Sequence, residues 1–233
     1  MLPEPDLTEL RRRLGYQFND PSLLRRAMAH RSWCSEVGGE PSNERLEFLG
    51  DAVLGWVVAD LAFRRHDDLT EGKLTDLRKS VVNASALAEV AQEIDLGPCL
   101  LLGKGEDAAG GRTKPSILSD ALEAVLGAVY IDGGASAAFA LIERLLIDRM
   151  ATAALRLDRL DYKTVLQELT ARQFDTAPVY VISDVGPDHD KRFFAMVIVA
   201  GEHVGKGEGR SKKTAEQAAA EQAWLTLSEH AVT

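Results

Sequence analysis

The sequence predicts an all-α domain followed by a small α+β domain, and three observations carry this prediction. Apolar residues recur at three- and four-residue spacing through most of the first 150 positions, and no strand-like alternation interrupts them. This pattern gives way to a polar stretch near residue 155. Beyond it, β-branched runs separated by turn residues predict three strands between two helices. The length of 233 residues accommodates two modest domains.

The first domain is predicted to span residues 1–155. Asp6 and Asp20 are expected at helix starts, because an aspartate side chain can accept a hydrogen bond from the free N–H groups of the first turn. Gly133-Gly134 is expected to end a long apolar helix, and the glycine-rich region 97–115 is expected to be a loop with a flexible centre. The predicted helices cover residues 6–14, 21–30, 43–65, 71–82, 84–94, 115–130 and 135–154.

A polar linker is predicted at 156–162, and the second domain at 163–233. Its last helix is rich in alanine and is expected to be capped by Ser211. The order is α-β-β-β-α, with a helix at 163–172, strands at 179–185, 192–199 and 202–207, and the final helix.

The chain is acidic, with a formal net charge of −9 and a pI near 5.1. Both parts share this sign, since residues 1–155 hold 17 basic and 24 acidic residues and residues 156–233 hold 10 and 12. Proteins that bind nucleic acid are usually basic, so any such surface here must be local. Bound metal ions would offset part of the acidity.

Composition also predicts the compartment. Cys34 and Cys99 have neither metal-site spacing nor a disulfide framework, which fits a reducing, cytoplasmic environment. The acidic N-terminal segment 1–10 lacks the apolar core of a secretory signal. The longest apolar stretch, 52–63, is interrupted by Asp60 and is too short to span a bilayer, so no membrane association is expected.

The segment NERLEFLGDAVLG, residues 43–55, is the most informative part of the chain. Glu44, Glu47 and Asp51 lie three and four residues apart, so their carboxylates project from one strip of a helix. The apolar flanks indicate a mostly enclosed helix, in which three like charges are costly unless a cation binds. Hard divalent ions such as Mg²⁺ prefer carboxylate and water oxygens. The alternative is a solvated acidic face.

A second acidic pair lies in PSILSDALEAVLGAVY, residues 115–130. This helix is apolar nearly all round and is expected in the core. Asp120 and Glu123 therefore carry charges that are costly to bury, and a bound cation would neutralise them. A solvated polar edge on the same helix is the alternative.

The segment NERLEFLGDAVLG resembles the signature of the ribonuclease III family, which are metal-dependent endonucleases of double-stranded RNA. The second acidic segment and LTEGKLTDLR match as well, so the resemblance covers nearly the whole first domain. It implies outer-shell positions for Glu44 and Glu71, which would orient metal-bound waters, and it makes Asp51 and Glu123 the residues expected to matter most for catalysis. The residues that it assigns to the catalytic Mg²⁺, for which Mn²⁺ can substitute, are Glu47, Asp51, Asp120 and Glu123.

The resemblance also implies a homodimer in which each active site cuts one strand. Phe48 matches the family position that packs into the partner subunit, and a core position in its own domain is the alternative. The implied products carry 5′-phosphate and 3′-hydroxyl ends with a short 3′ overhang. The implied cellular role is processing of ribosomal, messenger and transfer RNA precursors. His30 could act as a general base, although a lone histidine at a helix end is more often a capping or packing residue.

The second domain, ending in GKGEGRSKKTAEQAAAEQAW, resembles the double-stranded RNA-binding domain. Lys212 and Lys213 lie in the first turn of its last helix, where free N–H groups and the helix dipole already favour phosphate. The resemblance places Gln167 and Glu168 of the first helix, and His189 of the β1–β2 loop, in the RNA minor groove. The acidic neighbours of His189 predict modest, salt-dependent affinity.

The implied fold class is an all-α endonuclease domain followed by a small α+β (α-β-β-β-α) double-stranded RNA-binding domain. Two other functions remain open at this point. A non-catalytic RNA-binding dimer would be expected to lack one of the inner acids, all of which are present. A helical phosphohydrolase acting on nucleotides would be expected to carry histidine–aspartate clusters, whereas His30 and His66 are distant in sequence from the acids.

Overall fold

The computed structural model describes residues 6–159, 162–187 and 191–229. The chain divides into two compact units, Met1–Ala154 and Leu155–Thr233. The first is helical, with two short 3₁₀ turns at Gly97–Cys99 and Gly111–Thr113. Its helices are α1 (Thr8–Leu14), α2 (Pro21–Ala27), α3 (Arg31–Val37), α4 (Glu44–Arg65), α5 (Glu71–Val82), α6 (Ala84–Glu93), α7 (Lys104–Ala108) and α8 (Pro115–Arg159), the last of which extends past the unit boundary at Ala154.

The longest helix, α8, is really two helices joined at a sharp break. Gly134 has φ 75° and ψ −172°, a conformation that glycine adopts without the steric penalty of a Cβ atom. The predicted end of the helix at Gly133-Gly134 is therefore confirmed. The predicted linker is partly helical, because α8 continues to Arg159 and the next helix begins at Tyr162.

The prediction that 52–63 is the longest apolar stretch is wrong, because α8 contains a longer one. Residues Pro115–Leu155 are long and apolar enough to cross a membrane by length and composition, whereas 52–63 is shorter. The break at Gly134 divides this segment, and side chains such as Leu122, Val125 and Ile142 are fully buried within the unit. This burial is the pattern of a core helix, which passes the same length and composition test.

The predicted helix 21–30 is wrong in its last turn. Helix α2 ends at Ala27, because Ala29 instead forms a parallel bridge with Leu101 and the N–H of His30 donates to the carbonyl of Leu101 at 3.1 Å. A further helix, α3, then begins at Arg31, which the sequence pattern did not predict. A contact between residues distant in sequence thus ends one helix and allows a second to begin.

The region 97–115 is also more ordered than predicted. The guanidinium of Arg112 donates to the carbonyls of Pro98 at 3.0 Å and Leu100 at 2.9 Å, and it pairs with Asp107 at 2.7 Å. These bonds hold the backbone of the segment around the Arg112 side chain, and helix α7 forms within the segment. What composition marks as a flexible loop is therefore a pinned connection leading into α8.

The second unit has two helices and an antiparallel sheet of order β1-β2-β3. Its elements are α9 (Tyr162–Phe174), β1 (Val179–Val185), β2 (Arg192–Val199), β3 (Glu202–Gly209) and α10 (Lys212–Glu229). The predicted bounds of β1 and β2 are confirmed, and a register shift after Val197 marks a bulge between β2 and β3. The predicted order of an all-α domain followed by an α+β domain is confirmed.

Both helices of the second unit share a core with one face of the sheet. Its buried residues are Leu166, Ala195, Val197, Val199, Ala215, Ala219, Ala220 and Ala223. Helix α10 lies very close to β3, since a Cβ atom at Gly207 would come within 2.3 Å of the backbone nitrogen of Ala219. The alanines of α10 and the glycines of β3 are thus needed for the close packing of the two elements.

Candidate active site

Helices α4 and α8 cross in direct backbone contact, and this crossing builds the site. A Cβ atom at Gly50 would lie 1.8 Å from the carbonyl oxygen of Glu123, and one at Gly127 would lie 2.3 Å from that of Leu46. No side chain larger than hydrogen fits at either position without moving a helix. Acidic residues that flank these glycines on the two helices are therefore held close together.

Three of the predicted acids meet at this crossing. Glu47 of α4 and Asp120 and Glu123 of α8 each offer a carboxylate oxygen, and these oxygens all lie within 4.8 Å of one another. All three side chains are half-buried. Three oxygens at this spacing and of this chemistry suit a hard divalent cation.

The electrostatics of the cluster are those of uncompensated negative charge. Burial, together with the carboxylates of Asp51, Asp120 and Glu47, raises the pKa of Glu123 to about 7. Burial also raises the pKa of Glu47, with contributions from Asp120, Glu44 and Asp51. A cation placed among these carboxylates would remove the repulsion that both shifts express.

The remaining predicted acids, Asp51, Glu44 and Glu71, are not members of this cluster. Asp51 is exposed one turn after Glu47, and its charge acts on both Glu47 and Glu123. Glu44 lies at the entrance of α4, where it accepts from the hydroxyl of Ser42 at 2.7 Å and faces Arg31 at 3.7 Å. Glu71 accepts from the hydroxyl of Thr75 in its own helix at 3.1 Å. The structure thus brings three of the predicted acids together. Asp51 and Glu44 lie close enough for their charges to act on the cluster, and Glu71 is hydrogen-bonded within α5.

The outward face of α4 differs from the prediction. The helix was expected to be mostly enclosed, yet Phe48 is 81% exposed and Phe63 is 72% exposed. The alternative that Phe48 is a core residue of its own domain is wrong, because this side chain points away from the buried face formed by residues such as Leu54 and Val57. Helix α4 therefore joins a buried face, an acidic edge and an exposed apolar face.

Two polar residues in the segment that leads into α4 have structural roles. Asn43 is buried, and its side-chain amide donates to the carbonyl of Ala27 at 3.2 Å instead of capping α4. His30 is the N-cap of α3, where its Nδ1 accepts from the backbone N–H of Ser32. Burial lowers the pKa of His30, and the charges of Glu106 and Asp120 oppose this effect. His30 is thus a capping residue, although it caps the start of α3 and not the end of α2. Both residues fix the segment leading into the acidic helix.

The predicted RNA contacts of the second unit are exposed where the structure describes them. Gln167 and Glu168 lie on the outer side of α9. Lys212 and Lys213 occupy the first turn of α10, whose start is capped by the hydroxyl of Ser211 bonded to the N–H of Thr214 at 3.1 Å. The predicted contact at His189 lies outside the described residues.

Comparison with known proteins gives the family. The model of the ribonuclease-III-like family matches residues 20–150, and that of the double-stranded RNA binding motif matches residues 162–227. The chain belongs to the ribonuclease III family. The ribonuclease 3 of Thermobifida fusca is 55% identical over 89% of this chain and 86% of its own length. That of Streptomyces coelicolor is 52% identical over 94% of this chain and 79% of its own length.

A solved structure agrees with this assignment. The nuclease domain of ribonuclease III from Campylobacter jejuni is 40% identical, with a TM-score of 0.58 over 60% of this chain and 96% of that one. It is described as flexible in a region involved in dimer formation. This member of the ribonuclease III family is thus an endoribonuclease for double-stranded RNA, with a helical nuclease unit and an RNA-binding unit.

Proposed function

We propose that this ribonuclease III cleaves both strands of an RNA duplex in a Mg²⁺-dependent reaction that leaves 5′-phosphate and 3′-hydroxyl ends with a short 3′ overhang. The observation that carries the proposal is the meeting of three carboxylates within 4.8 Å at the crossing of α4 and α8. Mn²⁺, which accepts the same oxygen ligands, can substitute. In domain terms, 1–155 is the catalytic domain, 156–162 the linker and 163–233 the RNA-binding domain.

The acidic residues would have two roles at this site, cation binding and the orientation of bound waters. Glu47, Asp120 and Glu123 would hold the cation, together with Asp51 at its open edge. A divalent ion held there supplies Lewis acidity toward the phosphate and lowers the pKa of an attacking water. The glycine contact at Gly50 keeps the two helices close enough for their carboxylates to share one ion. Outside this group, Glu44 and Glu71 would orient bound waters.

The RNA-binding domain would deliver the duplex to this site. Lys212 and Lys213 would bind phosphate at the start of α10, where helix N–H groups add to their charge. Gln167 and Glu168, and His189 of the β1–β2 loop, would reach the minor groove. Because the second domain carries a net negative charge, this local basic surface must supply most of the electrostatic attraction.

A homodimer would place one active site against each strand. Phe48 is the first residue of an exposed apolar face on α4 that continues to Trp56, which is 48% exposed, and Phe63. An exposed apolar face of this kind indicates contact with another protein surface. The related nuclease domain from Campylobacter jejuni is described as forming a dimer, which supports the same arrangement here.

The cellular role follows from the substrate. We place the enzyme in the cytoplasm, where both cysteines would stay reduced, and assign it the processing of ribosomal, messenger and transfer RNA precursors that contain duplex segments. Such precursors provide the A-form helices that this type of RNA-binding domain reads by shape.

The test is cleavage of a long end-labelled RNA duplex with Mg²⁺ or with chelator. Glu123→Gln should abolish cleavage and retain binding in a gel-shift assay, because the substitution removes a cation ligand and leaves the RNA-binding domain intact. Glu143→Gln on the same helix, which removes a surface pair with Arg65, should cleave normally. Mg²⁺-dependent cutting that survives in Glu123→Gln would refute the assigned site, and intact but retarded RNA with the unaltered protein would indicate a non-catalytic binding dimer.

A further inference from the structure

The outer face of the sheet in the RNA-binding unit is strongly apolar. The helices α9 and α10 pack on the other face, and the outward side chains of β1 and β2 remain open. Five of these side chains have exposed fractions between 37% and 65%, and they are Val179, Val181, Val185, Phe194 and Met196. The face also holds a shallow depression of about 700 Å³ that reaches Lys206 and Glu208 on β3. Contiguous exposed apolar side chains with a polar rim are typical of a protein interaction site.

The strand register arranges this face in rows that run across the sheet. One central row joins Ser183, Phe194 and Glu208. The next joins Val181, Met196 and Lys206. Each row thus carries one charge at the β3 edge, and the two charges are opposite.

Opposite charges in adjacent rows make the face complementary to itself. A second sheet can be laid on the first by a two-fold axis that runs parallel to the rows, midway between the two central rows and above the face. This axis exchanges the two rows. This operation brings Lys206 of each copy over Glu208 of the other and Phe194 over Met196, and it leaves the strands antiparallel. Closed two-fold contacts between identical surfaces are the commonest way in which protein chains pair.

We propose that the outer sheet face is a docking surface for the same face of a second copy of this chain, paired about this two-fold axis. The apolar side chains of β1 and β2 form its centre, and the Lys206–Glu208 pairs set its register. Glu208 now pairs with Arg192 at 2.8 Å, with both side chains more than half exposed. Such surface pairs are weak, and the carboxylate retains a second oxygen for a partner lysine.

The contact is small and depends on tethering. Three strands about 4.8 Å apart and four rows along them cover roughly 300 Å², less than the about 800 Å² that each partner gives a standard interface. Two RNA-binding units tethered to one nuclease dimer would meet at an effective concentration of about a millimolar, which is enough for a weak contact. In this respect the inference rests on the proposed dimer.

The test uses the full chain without RNA and a spin label at Gln173→Cys, an exposed position on α9. Because Cys34 and Cys99 are buried, the introduced thiol is the accessible one. Pulsed electron paramagnetic resonance should give one narrow distance between the labels of a dimer. Lys206→Glu and Glu208→Lys should each eliminate the narrow component, and the double variant should restore it, because position 206 faces position 208 of the partner. Glu221→Lys on α10, outside the face, should change nothing.

The other outcomes are distinct. A broad distribution in the unaltered protein would overturn the proposal, and so would a narrow distance that survives both single charge reversals, because another surface would then hold the units. Sedimentation of the same samples separates the two ideas. A monomer would refute the proposed nuclease dimer, and the sheet contact would then be judged by whether a narrow distance appears at higher concentration and follows the charge swap.

Discussion

At the scale of single residues, the carboxyl group of Glu123 determines how the proposed metal site should respond to pH. Its pKa of about 7, against an ordinary 4.5, means that the metal-free site takes up a proton near neutral pH. Burial and three neighbouring carboxylates cause this shift. Because cation binding needs the ionised form, protons and the proposed Mg²⁺ would compete for the same oxygens.

This competition predicts a pH-dependent stability. In chelator, Glu123 is protonated in the folded state and ionised in the unfolded state between about pH 4.5 and 7. The folded protein therefore holds the extra proton, and its stabilising contribution is complete below pH 4.5 and is lost as pH rises through 7. The Tm of the chelated protein should fall over this interval relative to the Tm of Glu123→Gln. Addition of Mg²⁺ should restore the lost stability above pH 7. Parallel pH profiles for the two proteins would contradict the assigned pKa.

A second prediction at this scale concerns Asp51, which lies on the exposed edge of the cluster. Asp51→Asn keeps the size of the side chain and removes its charge, so cleavage of a duplex at saturating Mg²⁺ should fall by about 100-fold or more. Asp60→Asn provides the matched control on the same helix, because its partner Arg64 is a surface residue. Equal losses of rate in both variants would mean that removing any carboxylate from α4 impairs the enzyme, and that Asp51 has no specific part in the site.

At the scale of elements, the crossing of α4 and α8 decides whether the acids meet. The contact is backbone to backbone, since Gly50 touches the carbonyl of Glu123 and Gly127 touches that of Leu46. A similar contact joins β3 to α10 in the second unit. In both places glycine sets the distance between two elements.

Gly50→Ala should therefore separate the two helices. The added methyl group overpacks the crossing, so the free energy of unfolding should fall by about 1–3 kcal/mol and Mg²⁺ affinity should fall with it. Gly55→Ala, also in α4, has no atom within 4 Å of the new methyl group and should gain roughly 0.5–1 kcal/mol from helix propensity. Denaturant unfolding and Mg²⁺ titration of the two variants provide the check, and equal behaviour would show that the crossing tolerates expansion.

At the scale of the whole molecule, an enzyme of net charge −9 binds a polyanion. The acidic cluster would carry cations when active, and the lysines at the start of α10 form a local basic surface. Affinity for RNA should then be modest and should fall as salt rises, with a slope set by the number of phosphates that this surface neutralises.

Lys212→Ala and Lys213→Ala should each weaken duplex binding at all sequences and reduce the slope of log K against log salt by about 1. Arg192→Ala, on the outer sheet face away from both helices, should leave that slope unchanged. Filter binding or fluorescence anisotropy over a range of salt concentrations measures these slopes. An equal effect of Arg192→Ala would place the RNA on the sheet.

Local patterns were sufficient to predict most helices and strands and to mark the acidic residues of α4 and α8 as candidates for a metal site. The bounds of β1 and β2, the break at Gly134 and the acidic strip of α4 depend on residues within a few positions of one another, and spacing reveals them. Helix α3 and the pinned segment around Arg112 were missed, because both depend on hydrogen bonds to distant residues.

Most of the helices and strands thus follow from local sequence, and the family follows from the motifs that they contain. Which acids share a site was settled by the glycine crossing, because residues far apart in the chain meet only when two helices can touch. The exposure of Phe48 and of the outer sheet face likewise depends on what the rest of the molecule leaves uncovered. Periodicity shows that a face is apolar, but only packing determines whether the same chain buries it or leaves it open for a partner.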